Sequence, residues 1–461
     1  MIRIDVLPDD VLLGIFDLYL DMSVSYGEKT TVEEWHSLVH VCRRWRSLVF
    51  RSPRRLNLQL FCTPETPARD TLDVWPALPL IVRGNMASSG TDNIIAVLGQ
   101  SNRVSEVYLW GLAGWQLEEV LAAMQVPFPE MIDMRLIISD GETVPVIPDS
   151  FLDGSAPRLQ YFELSGIPFP GLPKLLLSAN RLVYLWIADI PDSGYISPEA
   201  LVALLCALSS LETLILKFRS PQSRPDQESR SLPPPKRSVI PTLSHFRFKG
   251  VVEYLEDIVA SIDAFQLNTL HITFFNQIDF DTPRLAEFIN RTPRLRKRHA
   301  HVQFDDNFAR VGLRYWESKS DLDNLLISIS CREPDWQLSS IEQVCNFSLH
   351  SLFNYEALYI EHRYSQLVWK NDAIENTLWL QLLLPFTGVK NLYLSEEFAP
   401  GIVAVLQELV GDRILEVLPS LQNIFVEGLR VEPSVPWQEN IWQFAAARRH
   451  SSHPIAISVW M

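Results

Sequence analysis

Cysteine is sparse in this chain, with five in 461 residues. Cys42, Cys62, Cys206, Cys331 and Cys345 are odd in number and lie far apart with no CxxC pair, which argues against a disulfide framework and against a zinc site. Positive charge is in deficit: 40 Lys and Arg against 55 Asp and Glu leave a net charge of -15. Nucleic acid and acidic membrane surfaces would repel such a chain at long range, so protein partners are expected instead. No run approaches the ~20 apolar residues needed to cross a bilayer, and the opening "MIRIDVLPDDVLLGIFDLYL" has neither the basic start nor the small-residue cleavage site of a secretory leader. A reducing cytoplasmic or nuclear setting fits these absences. Catalytic signatures are missing as well, with no GxSxG, HExxH, P-loop or Gly-rich dinucleotide turn. His36 and His40 have the four-residue spacing of a metal pair but no accompanying carboxylate motif, so packed or solvated roles are expected, with no metal or other cofactor.

What is present is ordinary globular material, 47% apolar and 21% charged, in a chain too long for one compact core. The length calls for several domains or a repeat array. In "LPDDVLLGIFDLYL", Pro8 at the first helical position and the acids Asp9 and Asp10 mark a helix start. Val11, Leu12, Ile15, Phe16 and Tyr19 recur at helical spacing as one stripe. A second stripe, Trp35, Leu38, Cys42, Trp45 and Val49, comes after a polar loop over 21–34 that contains Gly27. Two short helices cannot bury Leu7, Leu12, Leu13, Phe16, Leu38, Val41 and Trp45 together, so part of this set must face another surface.

The order Leu7-Pro8, Val11-Leu12, Ile15-Phe16 and then Val41-Cys42-Arg43-Arg44-Trp45-Arg46 resembles the F-box motif, LPxx(I/V)LxxIF followed by VCxxWR, over residues 5–50. The loop between the two halves is longer than the family's usual spacing. "SPRRLNLQLFCTPETPARDTLDVWPALPL" and "FTGVKNLYLSEEFAP" are similar to fungal F-box proteins with leucine-rich-like tails. The resemblance implies a helical trio whose apolar ridge inserts into a Skp-type adaptor bound to a cullin scaffold. The matching positions are Leu7, Pro8, Val11, Leu12, Ile15, Phe16, Leu38, Val41, Cys42 and Trp45; some of them must instead hold the trio's own core. Six arginines without an acid between His36 and Arg55 are read either as a solvated face or as electrostatic steering toward an acidic partner.

From residue 75 onward an apolar-x-x-apolar-x-apolar pattern returns, at Trp75, Val104, Met131, Leu159, Leu182, Leu211, Leu243 and Leu267, with wider-spaced copies at Leu322, Tyr355, Val389 and Leu421. The first eight recur at intervals mostly near the 20–29 residues typical of leucine-rich repeats. Helix-like runs such as "WQLEEVLAAM", "SPEALVALLCAL", "VVEYLEDIVASI", "DTPRLAEFIN" and "PGIVAVLQELV" alternate with them. The expected fold is α+β overall: an all-α opening (1–55) followed by a degenerate leucine-rich-repeat-like α/β solenoid (56–461) with a mobile insertion at 219–240. A doubly wound sheet also alternates strand and helix and stays open. "RTPRLRKRHAH" is read as an exposed, poorly formed strand, with a local docking patch as the alternative.

Strand alternation places Tyr108, Trp110, Arg135, Tyr161, Glu163, Tyr184, Trp186, Lys217, His245, Arg247 and His271 on the face opposite the core. Aromatic and Arg residues dominate interface hot spots. Of this set, Tyr108, Trp110, Arg135, Tyr161, Tyr184, Trp186, Arg247 and His271 are the candidate target-binding residues. The expected function is that of a non-catalytic substrate receptor in a cullin-type ubiquitin ligase, its target unidentified. A repeat scaffold acting outside ubiquitin ligation is the alternative, and an enzyme hidden in the repeats would need a deep pocket of converging polar groups.

Overall fold

The computed structural model describes residues 7–24, 35–87, 90–139, 144–169, 174–221, 237–295, 299–314, 324–348, 355–362, 376–409, 411–429 and 436–460. Most of the expected 219–240 insertion (222–236), most of the 21–34 loop, Leu322 and residues 296–298 lie outside them. The fold is mixed α/β, with parallel strands predominating. Two compact units divide the chain between Tyr195 and Ile196. Among the described residues no helix is long and apolar enough to cross a membrane.

The first unit opens with three helices, α1 (Asp9–Val24), α2 (Trp35–Val41) and α3 (Arg43–Arg51). Pro8 sits one residue outside α1, its carbonyl accepting from the Leu12 amide at 3.0 Å. The second apolar stripe is not one helix. Cys42 takes an extended conformation between α2 and α3, and its Sγ accepts from the Trp45 amide, capping α3. Trp75 ties α2 to the start of the strand region: His36 stacks on it at 4.5 Å, and Trp35 meets it edge-on at 5.2 Å.

Six parallel strands come next in chain order, β1 (Leu60–Cys62), β2 (Leu80–Asn85), β3 (Val104–Leu112), β4 (Asp133–Ile138), β5 (Tyr161–Ser165) and β6 (Tyr184–Ile190), each beside the next. Helices α4 (Ala68–Val74), α5 (Thr91–Leu98), α6 (Gly114–Ala123) and α7 (Lys174–Ser178) fall between strands. The alternation of the repeat motif is the cause: Val107 and Leu109, Met134 and Leu136, Phe162 and Leu164, and Leu185 and Ile187 are buried to within 1%, while the residues between them stay partly open. From Leu159 to Leu267, each strand begins two residues after the first apolar position of its motif copy. The Trp75 copy does not obey this rule, because β2 starts only at its last residue, Leu80.

The second unit begins with α8 (Pro198–Ala207), which starts as its sequence signals: Ser197 Oγ accepts from the Ala200 amide and Pro198 occupies the first turn. Strands β7 (Thr213–Phe218), β9 (His245–Gly250) and β11 (Thr269–Phe275) continue the parallel pattern. A two-residue pair, β8 (Ser238–Val239) with β10 (Ile262–Asp263), orders the end of the expected insertion. The sequential order then breaks. β12 (His299–Phe304), β13 (Phe308–Arg314) and β14 (Leu325–Ser330) enter in reverse, so that β11 lies beside β14 and β13 runs antiparallel to both neighbours. The Asp305 carboxylate, accepting from the Asn307 and Phe308 amides, makes the tight turn that permits this. The described residues of "RTPRLRKRHAH" are not a poorly formed strand, contrary to expectation: Arg291 ends α10, Pro293–Leu295 form a short 3-10 turn, and 299–301 open β12, an interior strand with Ala300, Val302 and Phe304 fully buried. Parallel order resumes with β15 (Ala357–His362), β16 (Asn391–Leu394), β17 (Asn423–Glu427) and β18 (Ala456–Trp460). Helices α9 (Val252–Ser261), α10 (Pro283–Arg291), α11 (Pro334–Ser348), α12 (Asn376–Leu383), α13 (Ala399–Glu408) and α14 (Pro436–His450) pack side by side in chain order after α8.

Candidate functional site

The helical trio separates the first ten candidate positions into two groups. Leu12, Phe16 and Leu38 are buried in the chain's own packing, as is Leu13. Phe16 rests against Trp45, which is half-buried, with ring centroids 4.7 Å apart. Leu12, Phe16 and Leu38 therefore hold the trio together and are not offered to a partner. Cys42 is exposed, but its sulfur serves as a cap.

The remaining positions lie outward. Val11 is 42% exposed, Ile15 39% and Val41 57%; Pro8 is exposed and Leu7 half-buried. Leu18 at 66% and Tyr19 at 45% join Val11 and Ile15 on one side of α1, at spacings of four, seven and eight residues. The single stripe expected for α1 is thus two stripes, one folded inward and one left open. Arg44 fixes the start of the ridge, donating to Asp9 Oδ1 at 2.6 Å and to the Leu7 carbonyl at 2.6 Å. Arg46 donates to the Val39 carbonyl and Arg55 pairs with Asp17. Three of the six arginines are thereby bonded within residues 7–55, and all six are exposed.

The second candidate surface is the strand face opposite the core. In the first unit the register aligns Arg83, Tyr108, Arg135, Glu163 and Trp186 in one row and Glu106, Asp133, Tyr161 and Tyr184 in the next, with Trp110 on the same side of β3. Arg135 makes a two-pronged bond to Asp133, at 2.8 and 2.7 Å, and stands 5.5 Å from the Tyr108 ring centre and 5.9 Å from that of Tyr161. That bond holds the guanidinium's pKa above its ordinary value. Burial pushes the Glu163 carboxyl up, with Arg135 partly opposing. A carboxyl whose folded pKa is raised favours the folded state most below its unfolded pKa, and that contribution is lost as pH rises through the folded value. Glu163→Gln is therefore expected to flatten the decline in stability on going from acid to neutral pH, as read by melting temperature across a pH series.

In the second unit the same motif position holds Ile215, Arg247 and His271 on β7, β9 and β11. Further along it builds a ladder that was not among the candidate residues: His301, Tyr359, Tyr393 and Phe425 lie in register on β12, β15, β16 and β17. Their rings stack at 4.4, 4.2 and 4.5 Å, all within 9° of parallel. Burial raises the Tyr359 phenol well above its ordinary pKa, and the adjoining Tyr393 adds to the effect. The signal was in the sequence, since Tyr359, Tyr393 and Phe425 each occupy the fifth position of a motif copy.

A cavity of about 600 Å³ opens beyond β2 and β3, lined by Thr91, Asp92, Trp115, Gln116 and Glu119 among others. Its buried amide is engaged on both ends: Gln116 accepts from the Ala113 amide and donates to the Met86 carbonyl and Thr91 Oγ1. No group of three His, Cys, Asp or Glu among the described residues is placed to hold a metal ion. No family model and no curated protein matches the chain.

Proposed function

We propose that the protein is a non-catalytic receptor of a cullin-type ubiquitin ligase, docking onto a Skp-type adaptor through α1–α3 as an F-box and holding a target protein on the strand face of a degenerate leucine-rich-repeat-like array. The reading is supported above all by the ridge of Pro8, Val11, Ile15, Leu18 and Tyr19 along α1, which the chain's own packing leaves uncovered, with Val41 exposed at the end of α2. Apolar side chains gathered on one helical face cost solubility unless a partner covers them. The F-box resemblance names an adaptor for that role, and the helix-strand alternation behind the trio suits a target-binding array, although the reversed β12–β14 segment departs from a regular solenoid. In this reading the receptor contributes proximity, and acyl transfer takes place on other subunits.

Co-expression with a Skp-type adaptor and cullin tests the proposal. A stable complex on size exclusion is expected from the native chain, and Leu7→Ala/Pro8→Ala is expected to lose it while keeping the monomer's melting temperature. A chain that elutes alone from excess adaptor rules out the ligase reading and leaves a protein-interaction scaffold. A double variant that keeps the adaptor removes Leu7 and Pro8 from the contact.

A further inference from the structure

We propose that the open face of β7, β9 and β11 binds an extended acidic segment of a partner protein, with carboxylates at alternate positions. Registered pairing sets nine side chains in a grid: Thr213, His245 and Thr269 in one row, Ile215, Arg247 and His271 in the next, Lys217, Lys249 and Thr273 in the third. None of the nine is an acid, in a chain carrying 15 more acids than bases. Lys217 and Lys249 are direct lateral neighbours on adjacent strands, as are Arg247 and His271. Lysines so placed repel one another across the sheet.

Two cations elsewhere on the strands meet acids, Arg135 at Asp133 and Arg310 of β13 at Asp305 (3.0 Å), while Arg83 of β2 stands 5.2 Å from the Tyr108 ring centre. Among the described residues Arg247 and Lys249 have no such ion pair, and the Lys249 ammonium instead lies 5.3 Å from the Phe275 ring centre. Most of the grid is half-buried, with only His245 exposed, so its field is less screened than that of freely solvated side chains.

Spacing selects the form of the anion. Arg247 and Lys249 are two residues apart on one strand, about 6.6 Å, which is also the distance between alternate side chains of any extended peptide. A segment with Asp or Glu at every second position therefore sets one carboxylate over each, with the Thr269 and Thr273 hydroxyls beside them as further donors. The assignment refines the target-binding role proposed for this face and rests on that role only for the partner's identity.

Fluorescence anisotropy with the full-length chain tests it. Three labelled peptides are compared: one alternating Glu with Ser, one of the same composition with all Glu in a block, and one carrying phosphoserine at the alternate positions without Glu. The alternating peptide is expected to bind most tightly and to weaken with added salt. Arg247→Glu/Lys249→Glu is expected to weaken it at least about tenfold, and Arg247→Ser/Lys249→Ser by less, both at unchanged melting temperature. Equal binding of the block peptide overturns the spacing, binding of the phosphopeptide alone overturns the carboxylate assignment, and indifference to charge reversal overturns the site. Adaptor capture is read in a separate assay, so failure of the receptor reading and failure of this one are told apart.

Discussion

If the proposed docking holds, Ile15→Asp is expected to weaken adaptor capture about a hundredfold or more while leaving the fold's stability within about 1 kcal/mol of the native chain, and Phe16→Ala is expected to do the reverse in kind, costing about 3–5 kcal/mol of stability. These adjacent residues on α1 lie on opposite sides of the trio's surface. Ile15 is 39% exposed on the uncovered ridge, whereas Phe16 is 1% exposed and packed against Trp45. A carboxylate at position 15 stays hydrated in the free protein, so the helix loses little beyond partial apolar cover and some helix propensity. Covering it with an apolar partner strips that hydration without a compensating charge, and capture is expected to weaken about a hundredfold or more. Removing the Phe16 ring opens a cavity that Leu12, Leu13 and Trp45 cannot all collapse into, and any loss of adaptor binding then results from unfolding. Denaturant titration of each variant, beside adaptor titration by calorimetry, separates the two effects. If Ile15→Asp binds adaptor like the native chain, the ridge is not the contact and the F-box reading loses its main support.

That pair also marks how far the sequence could be read. Periodicity finds every apolar residue of α1 but does not say which side of the stripe a neighbouring helix will cover; the division depends on α2 and α3, whose relative placement turns at Cys42. Cysteine is not a residue that announces a helix cap, so the break there was hidden inside what looked like one continuous stripe. The repeat strands were legible for the opposite reason. Each needs only its own alternating residues, and from Leu159 to Leu267 the motif leads its strand by two residues throughout. The Tyr108, Arg135, Tyr161 and Trp186 positions come from alternation alone, and their side chains do share one face.

Non-local order was not legible. Nothing in "RKRHAHVQF" distinguishes an edge from an interior strand, because its partners are β13, directly after it in the chain, and β15, more than fifty residues on. Arg294, Arg296, Lys297 and Arg298 suggested exposure, but the last three lie in 296–298, outside the described residues, and the alternating Ala300, Val302 and Phe304 decide the strand's place. The stacked His301, Tyr359, Tyr393 and Phe425 escaped notice for a related reason. Wider spacing between the late motif copies obscured their common register.

Arg448→Met is expected to cost about 3–5 kcal/mol, the other large effect in this molecule. Three basic residues, Arg448, Arg449 and His450, close α14, a pattern that ordinarily complements a helix C-terminus at the surface. Arg448 instead is fully buried. Its guanidinium donates to the carbonyls of Ile414 at 2.9 Å, Leu418 at 3.1 Å and Leu421 at 3.4 Å, with Pro419 at 3.5 Å, and stands 5.9 Å from the Phe444 ring centre. The segment it gathers leads into β17 and includes Leu418 at a φ of 48°, a left-handed conformation that a leucine does not adopt unaided. Burial lowers the guanidinium's pKa, which is the direction expected when carbonyl dipoles, and no described carboxylate, compensate the charge. Replacing a buried ion pair with apolar groups can be neutral because both charges leave together. Here only the donor leaves: methionine fills much of the volume and strands three or four buried acceptors, each costing about 1–3 kcal/mol when unsatisfied, less what local relaxation recovers. Lysine keeps the charge but lacks the planar fork that reaches several carbonyls at once, so Arg448→Lys should fall between. Denaturant unfolding followed by hydrogen exchange tests this, with the loss of protection expected first at the β17 amides, Asn423–Glu427. A methionine variant as stable as the native chain, with those amides still protected, means that water reaches the carbonyls and that Arg448 does not hold the segment in place.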